Sequence, residues 1–192
     1  MPRGTDRATG GTLAIDPKYV WGNAKAVLNA RWSLRHVDHV GTRVRLRGRP
    51  LVHNKGRMVI GDRVQLISTA ATLELVTDEG GLLEIGERSL VNFGTSIAAT
   101  KLIRIGAHSH IGPHCMLLDN DYHHLEPERR LERPESRPII LEENVWLSAR
   151  VIVISGVTIG RGSAVGAGSV VTTDVPPRTF VAGVPAKVVK KL

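Results

Sequence analysis

Residues 141–174 read LEENVW LSARVI VISGVT IGRGSA VGAGSV VTTD, and this stretch decides the fold. An aliphatic residue stands at every sixth position: Leu141, Leu147, Val153, Ile159, Val165 and Val171. A period of six fits neither an amphipathic helix nor an ordinary alternating strand. Six consecutive positions in phase also argue against chance spacing in a β-sandwich. The pattern predicts short strands joined by tight turns, with one aliphatic side chain pointing inward per segment.

The same period runs through earlier parts of the chain. It is carried by Ile85, Val91 and Ile97, then after an offset of two residues by Ile105, Ile111 and Leu117, with a fainter trace at Ile60 and Leu66. Glycine follows the aliphatic residue at six places: Gly61, Gly86, Gly106, Gly112, Gly160 and Gly166. Because glycine reaches backbone angles that other residues adopt only at a cost, we expect these glycines to permit the turns.

These segments resemble the hexapeptide-repeat acyltransferases, whose signature is an aliphatic residue, a glycine and four variable residues. The ending VPPRTFVAGVPAKVVKKL, residues 175–192, is similar to that family's C-terminal signature almost throughout. The resemblance covers roughly residues 57–190. It implies an all-β fold, a left-handed parallel β-helix with three hexads per triangular coil. It also implies acetyl transfer from acetyl-CoA, as co-substrate, to the hydroxyl of a sugar or glycan precursor, with no metal.

The chain is expected to divide at residue 56. Residues 1–56 would form an N-terminal arm, a capping helix and a basic strand, and residues 57–192 would form the β-helix with a C-terminal tail. Residues 16–36 read as the helix, with Asp16 as its N-cap and Pro17 in its first turn. One face of this helix is expected to carry Val20, Ala24, Val27, Leu28 and Leu34.

The basic strand has the sequence VRLRGRP, in which Arg43, Arg45, Arg47 and Arg49 alternate with other residues. Alternation places all four on one face of a strand. Two interpretations stay open for them. They could protect a sheet edge from aggregation, or they could form a docking surface for an acidic glycan or a lipid-linked acceptor.

Composition and charge narrow the class of protein. Apolar residues make up 42% of the chain and aromatic residues only 4%, which suits a narrow core of branched aliphatic side chains. The formal net charge of +8 is compatible with binding to nucleic acid, to an anionic membrane surface or to phosphate-bearing small molecules. The basic residues are spread and no nucleic-acid motif occurs, so we discount nucleic acid. A single cysteine and no apparent signal or membrane segment make the cytoplasm the expected location.

Residues 119–138, DNDYHHLEPERRLERPESRP, break the period and read as a long loop thrown out from a coil. Acetyl transfer to a hydroxyl needs a base, and histidine is the side chain best matched to that role near neutral pH. His36, His39 and His53 lie in the unpatterned part, and His108, His110 and His114 occupy outward positions of hexads. The resemblance aligns His123 with the catalytic base of maltose, galactoside and nodulation-type acetyltransferases.

The DNDYH stretch also resembles the Asp-x-Asp-x-His version of colanic-acid-type acetyltransferases. That likeness makes Asp121 a candidate to orient His123 or bind the acceptor, with Asp119 as the alternative; loop solvation is the competing interpretation for both. Asn92 matches an acceptor-side asparagine of the sugar acetyltransferases. The acidic residue that those enzymes carry about eight positions later is replaced here by Thr100, which points to a different acceptor sugar.

The CoA site is expected in the C-terminal half, also by resemblance. The segment NVWLSAR is similar to the family's Asn-Val-Trp-Ile-Gly segment, which places Trp146 near the thioester and the Ala149 N–H as oxyanion donor. Gly166 and Ala167 match the lining of the pantetheine groove, and Thr172 and Thr173 follow where the family often has Thr-Lys. Because that lysine is missing, the CoA phosphates are expected to meet Lys187 and Lys190. Trp146 could equally be structural, and Cys115 reads as a core thiol.

The resemblance also implies a homotrimer with sites between neighbouring β-helices. Two other functions remain open from sequence. One is a zinc enzyme of the γ-carbonic anhydrase type on the same fold, for which His108, His110, His114 and His123 would be ligand candidates. The other is a non-catalytic solenoid that only binds.

Overall fold

The computed structural model of the chain describes residues 17–192, so the proposed N-cap Asp16 and the arm before it lie outside the described residues. Within this range the chain forms helix α1 (Pro17–Ser33), a 3-10 helix (Pro127–Arg129) and twenty strands. No helix in residues 17–192 is long and apolar enough to cross a membrane.

The strands form three sheets, because each coil contributes one strand to each sheet. The first sheet contains β1 (His39–Val40), β4 (Arg57–Ile60), β7 (Leu82–Ile85), β10 (Leu102–Ile105), β13 (Ile139–Leu141) and β16 (Thr158–Ile159). The second contains β2 (Arg45–Gly48), β5 (Gln65–Ser68), β8 (Leu90–Val91), β11 (His110–Ile111), β14 (Trp146–Leu147), β17 (Ala164–Val165), β19 (Thr179–Gly183) and β20 (Ala186–Lys191). The third contains β3 (Leu51–Asn54), β6 (Glu74–Thr77), β9 (Ser96–Ala99), β12 (Met116–Leu118), β15 (Ile152–Val153) and β18 (Val170–Val171).

Neighbouring strands pair in parallel, and only β19 and β20 among the described strands pair antiparallel. The result is a parallel β-solenoid of about seven turns, which confirms the predicted parallel β-helix. Each coil turns at three corners. The first corner leads from the first sheet to the second, the second corner from the second sheet to the third, and the third corner from the third sheet to the next coil.

The core is the predicted aliphatic ladder. All six aliphatic residues of the 141–174 stretch are at most 1% exposed. Small polar residues fill other inward positions two residues before such an aliphatic residue. The Ser109 hydroxyl, for example, donates to the carbonyl of Glu142 (3.3 Å) and accepts from the N–H of Val145 (3.1 Å). These buried hydroxyls therefore join one coil to the next.

The expectation about the glycines is wrong. The left-handed residue of a turn stands three positions after the aliphatic residue, as at Arg88 (φ 57°) and His108 (φ 60°), and the glycine comes two positions earlier. A Cβ on Gly106 would lie 2.5 Å from the carbonyl carbon of Glu142 in the next coil, and one on Gly86 would lie 2.4 Å from the nitrogen of Ala107. Glycine is needed here because successive coils approach each other closely.

Helix α1 packs on strand β2 at the open end of the second sheet. Ala26 and Ala30 form its buried face together with Leu34 just after the helix. The expected apolar face is therefore right for Leu34 and wrong for Leu28, which is 64% exposed, and for exposed Ala24; Val27 is half-buried, and the side chain of Val20 lies outside the described residues. The Asn29 side-chain amide donates to the carbonyls of Leu46 (3.1 Å) and Gly48 (2.8 Å). The helix thus caps the exposed edge of β2.

The basic stretch forms the first coil of the solenoid, because β2 pairs with β5 over four residues. Leu46 is buried between Arg45 and Arg47, which confirms the predicted alternation in β2. Arg43 precedes the strand at the first corner with a positive φ of 56°, and Arg49 follows the strand on the surface.

Candidate active site

The loop of residues 119–138 leaves the solenoid after β12 and returns at β13, so it occupies the third corner of the fourth coil. Contacts to three other coils hold it. Arg133 donates to Asp78 (2.7 Å), Lys101 to Glu135 (3.0 Å), and Arg137 to the Ser155 hydroxyl (3.0 Å). The ion pair with Arg133 holds the pKa of Asp78 below its usual range. The loop therefore lies against the third corners of the second, third and fifth coils.

Asp119 anchors the base of this loop. Its carboxylate is fully buried and accepts four hydrogen bonds of 2.7 Å from the backbone N–H groups of Thr100, Lys101 and Leu102 and from the Thr100 hydroxyl. Both carboxylate oxygens are engaged by these donors. The structure therefore places the acceptor-binding candidate Asp119, together with Thr100, in the wall of the third corner.

His123 is the exposed histidine at the start of the loop, and the loop itself orients its ring. The Nδ1 atom lies 2.6 Å from the carbonyl oxygen of Arg130. Because a carbonyl can only accept, Nδ1 must carry the proton of this bond. In the neutral imidazole the lone pair is then on Nε2, which is free to take a proton from a substrate. This arrangement can perform general base chemistry at an exposed position.

Asp121 and His124 flank His123 but have other partners. The Asp121 carboxylate accepts from the Ser155 hydroxyl (3.2 Å) and lies 3.7 Å from Arg137. Its contact with His123 runs through the backbone, since the Asp121 carbonyl accepts from the His123 N–H at 2.7 Å. The Nε2 atom of His124 lies 3.2 Å from the Arg129 guanidinium. Of the two histidines, His123 is the one whose Nε2 atom is left open.

The second corner carries a different set of the predicted residues. Asn92, Ala149 and Ala167 each lie within two residues of the end of a second-sheet strand, in the third, fifth and sixth coils. The Ala149 N–H has no acceptor within residues 17–192, although the Ala149 carbonyl accepts from the Gly168 N–H at 2.9 Å. The Asn92 side-chain oxygen accepts from the Phe93 N–H at 2.9 Å. A free backbone donor at an open turn is what an oxyanion requires.

The other CoA candidates lie on the second sheet and beyond it. Trp146 projects outward from β14 with 55% of its surface exposed, between the rows of His110 and Ala164. A Cβ on Gly166 would lie 2.9 Å from the Cβ of Ala182, so no larger residue fits there without a shift. The exposed candidates are Thr172 and Thr173 at the third corner and Lys187 and Lys190 in β20.

One chain does not bring these groups together. His123, Asp121, Thr172 and Thr173 lie at the third corner, whereas Asn92, Ala149 and Ala167 lie at the second. The whole third sheet separates the two corners. The repeat pattern by itself gave no signal of this separation, which only the resemblance implied, through sites between neighbouring β-helices. Nor did the sequence single out Arg130 and Ser155, which contact the predicted residues through the folded loop.

The three other histidines considered as zinc ligands are dispersed around the fourth coil. His108 lies at the first corner, His110 on β11 and His114 at the second corner, where its ring meets Phe93 edge-on at 5.5 Å. Residues 17–192 hold no group of three or more His, Cys, Asp or Glu side chains placed to bind a metal ion. Cys115 is 1% exposed and donates to the Ser148 carbonyl at 3.1 Å, and burial raises its pKa to about 11.

Residues 138–173 match a known family, the bacterial transferase hexapeptide (six repeats). A putative acetyltransferase of Staphylococcus aureus is 36% identical over 150 residues, which cover 75% of this chain and 73% of the relative. The galactoside O-acetyltransferase of Escherichia coli is 34% identical over 113 residues, which cover 59% of this chain and 56% of the enzyme. The chain spans 55–61% of the length of the first curated relatives that it matches.

A solved structure extends the likeness to almost the whole chain. The hexapeptide-repeat acetyltransferase of Vibrio cholerae, complexed with acetyl coenzyme A, superposes with a TM-score of 0.63 at 26% identity. The match covers 90% of this chain and 82% of that protein.

Proposed function

Because the chain belongs to the hexapeptide-repeat acetyltransferase family, we propose that it transfers an acetyl group from acetyl-CoA to a hydroxyl of a sugar or glycan precursor. The observation that carries the proposal is the orientation of His123. Its Nδ1–H is held by the Arg130 carbonyl at 2.6 Å, and its Nε2 atom is left with a lone pair at the base of the loop.

The chemistry needs few groups. His123 Nε2 takes the proton of the acceptor hydroxyl as the oxygen attacks the thioester carbonyl. The tetrahedral intermediate carries an oxyanion, which the free N–H of Ala149 stabilises. The intermediate then collapses, the carbon–sulfur bond breaks, and the CoA thiolate receives the proton that His123 had taken. Asp121 acts beside this base through the Ser155 and Arg137 contacts that fix the start of the loop.

Acetyl-CoA would bind along the second corner and the second sheet. Supporting this placement are the exposed Trp146, the small residues Gly166 and Ala167, and the exposed Lys187 and Lys190, whose charges suit the CoA phosphates. The complex of the Vibrio cholerae protein with acetyl coenzyme A supports the same co-substrate. A CoA substrate and a single buried thiol fit the cytoplasmic location expected from the sequence.

The separation of the two corners supports a homotrimer. The base at the third corner of one chain would meet the CoA residues at the second corner of its neighbour. Thr172 and Thr173 would then approach CoA from the side of the base. The site is incomplete in one chain, so assembly and catalysis are linked in this proposal.

The acceptor is proposed to be a sugar or glycan hydroxyl that Asn92 helps to bind. The name of the E. coli galactoside O-acetyltransferase supports a sugar as the class of acceptor. Asp119 and Thr100 are bonded to each other at the third corner, so their role in this proposal is to shape the wall of the acceptor site.

A mass-spectrometric screen tests the proposal. The protein is incubated with acetyl-CoA and a panel of sugars, matched amino sugars and oligosaccharides, and products heavier by one acetyl group are sought. We expect an O-acetylated sugar that is absent from reactions with His123→Ala. Acetylation of amino sugars on nitrogen alone would contradict transfer to a hydroxyl. Acetyl-CoA turnover with no acceptor dependence would contradict the proposed activity.

A further inference from the structure

The positive charge of the protein is concentrated at one end of the solenoid. Residues 17–61, which form α1 and the start of the solenoid, contain ten Lys and Arg residues and one acidic residue, Asp38. Residues 62–192 contain fourteen basic and fifteen acidic residues and are close to neutral. Asp38, the one acidic residue within 17–61, is already hydrogen bonded, because its carboxylate accepts from the Asn54 side chain (2.9 Å) and the Met58 N–H (2.8 Å). The net charge of +8 therefore belongs to this end.

The outer face of α1 carries large apolar side chains. Trp21, Leu28 and Trp32 follow one line of the helix and are 65%, 64% and 71% exposed, whereas the buried face is built from small Ala26 and Ala30 together with Leu34. Packing on the solenoid cannot explain this distribution, since the largest apolar side chains point away from it. Exposed Trp and Leu side chains along one line of a helix are the anchors by which interfacial helices insert at the acyl boundary.

Cations accompany these aromatic residues. The Lys25 ammonium lies 5.5 Å from the Trp21 ring and the Arg35 guanidinium 4.9 Å from the Trp32 ring. Tryptophan with a neighbouring Lys or Arg suits the headgroup level of a bilayer, where the ring meets the acyl boundary and the cation meets phosphate. Both pairs lie on the outer face of α1.

Arginines border the helix on the solenoid side. A cleft of about 340 Å³ between α1 and the first two coils is lined by Arg43, Arg45 and Arg63 together with Asn23, Ala24 and Val27. The edge of β2 is already covered by Asn29, so these arginines are not needed to protect it. An anionic phosphate group suits a cleft that three guanidinium groups border.

We propose that the outer face of α1 and the arginines of the first coil dock the protein onto an anionic lipid bilayer. The line of Trp21, Leu28 and Trp32 favours lipid over nucleic acid, since Leu28 has neither a stacking surface nor a charge to offer a base or phosphate. The surface lies three coils from the loop that carries His123, about 14 Å at the usual strand spacing. Docking at this end leaves that loop and the second corner free, so the inference does not depend on the proposed activity.

Vesicle binding tests this proposal on the full chain. Flotation should recover the protein with phosphatidylcholine vesicles that contain about 30 mol% phosphatidylglycerol, an anionic content on the order of that of cell membranes. Vesicles of pure phosphatidylcholine should not recover it. Intrinsic fluorescence should shift to the blue on binding, because two of the three tryptophans lie on the outer face of α1. The variant Trp146→Phe should keep that shift.

Two variants with a matched control separate lipid docking from general attraction. Trp21→Ser/Trp32→Ser should bind vesicles at least about tenfold more weakly. Arg45→Gln/Arg47→Gln should bind about 30-fold more weakly, at a factor of about five per cation near the surface. Lys187→Gln/Lys190→Gln removes the same charge at the other end and should bind like the wild type.

Four results would overturn the proposal. The first is equal binding to neutral and anionic vesicles, and the second is equal loss of binding in the Lys187→Gln/Lys190→Gln control. The third is a wild type that does not bind vesicles together with a changed oligomeric mass of Trp21→Ser/Trp32→Ser, since that result would assign the face to a second copy of the chain. Binding of duplex DNA without vesicle binding would likewise reject lipid as the partner.

Discussion

At the scale of single residues, the candidate base depends on a contact that sequence could not supply. The resemblance pointed to His123 because of its position where the repeat ends. The partner that fixes its ring is the Arg130 carbonyl, seven residues away, and any residue type could provide that carbonyl. The DND pattern likewise could not tell which aspartate is buried. Asp119 anchors the loop and Asp121 is exposed because the chain leaves the third corner between them.

Cys115 gives a prediction about pH and reactivity. Burial raises its pKa from 9.0 to about 11, so the folded state favours the protonated thiol. The stabilisation from this thiol is fully present below pH 9 and is lost as the pH rises towards about 11. At pH 8 the native protein should not react with Ellman's reagent within minutes, and the protein in guanidinium chloride should react at once. Rapid stoichiometric labelling of the native protein would contradict the buried position.

At the scale of elements, the hexad pattern predicted strands and inward residues within residues 57–192, but not the first coil, β1 to β3, which was expected to lie outside the β-helix. It gave the wrong reason for the glycines, because a sequence does not show which residue meets the next coil. The helical pattern of residues 16–36 also placed Ala24 and Leu28 on the covered face of α1, since the apolar residues of this helix lie on both faces and the pattern alone cannot say which face is covered. The large apolar side chains Trp21, Leu28 and Trp32 are exposed.

Two glycine substitutions test whether glycine is needed where successive coils approach each other closely. Gly106→Ala forces a Cβ to 2.5 Å from the backbone of Glu142 and should lower the free energy of unfolding by about 1–3 kcal/mol. Gly22→Ala in α1 meets no atom within 4 Å and should raise that free energy by up to about 1 kcal/mol. Urea denaturation measures both. Equal free energies of unfolding for Gly106→Ala and the wild type would show that the space between the coils accommodates a Cβ at this position.

Strand β20 carries Lys187 and Lys190, which are proposed to contact the CoA phosphates. Lys187→Gln/Lys190→Gln should raise the KM for acetyl-CoA, with a smaller effect on kcat, because the lost contacts are made equally in the ground and transition states. The increase should fade as salt screens exposed charges. Arg45→Gln/Arg47→Gln removes the same charge at the other end of the solenoid and should leave this KM unchanged. An unchanged KM in the β20 variant at low salt would move the phosphate site elsewhere.

At the scale of the whole molecule, the solenoid could be predicted from six in-phase residues, because one repeating unit specifies every coil. The distribution of the candidate site over two corners was implied by the resemblance alone, through sites between neighbouring β-helices, because the repeat itself does not say which side chains share a site. The concentration of positive charge was present in the sequence, since residues 17–61 hold ten basic residues and one acidic residue, although the basic residues were interpreted as spread. What the sequence could not show is that this segment forms one end of the solenoid.

The separation of the corners predicts the assembly. Sedimentation velocity should give three times the chain mass of 20.8 kDa. Mixing His123→Ala chains with Ala167→Trp chains should restore activity, because some interfaces of a mixed trimer would join an intact base to an intact CoA surface. A fully active monomer, or mixtures no more active than their parents, would contradict a shared site.

The most direct test of the central claim measures acetyl-CoA binding and acetyl transfer in the same two variants. His123→Ala should fold and bind acetyl-CoA with the Kd of the wild type, and its transfer rate should fall by a factor of about 10²–10⁴. His124→Ala should lose much less, because its ring contacts Arg129 and not the open side of His123. A dead His124→Ala variant beside an active His123→Ala variant, or full activity in both, would contradict the assignment of His123 as the base.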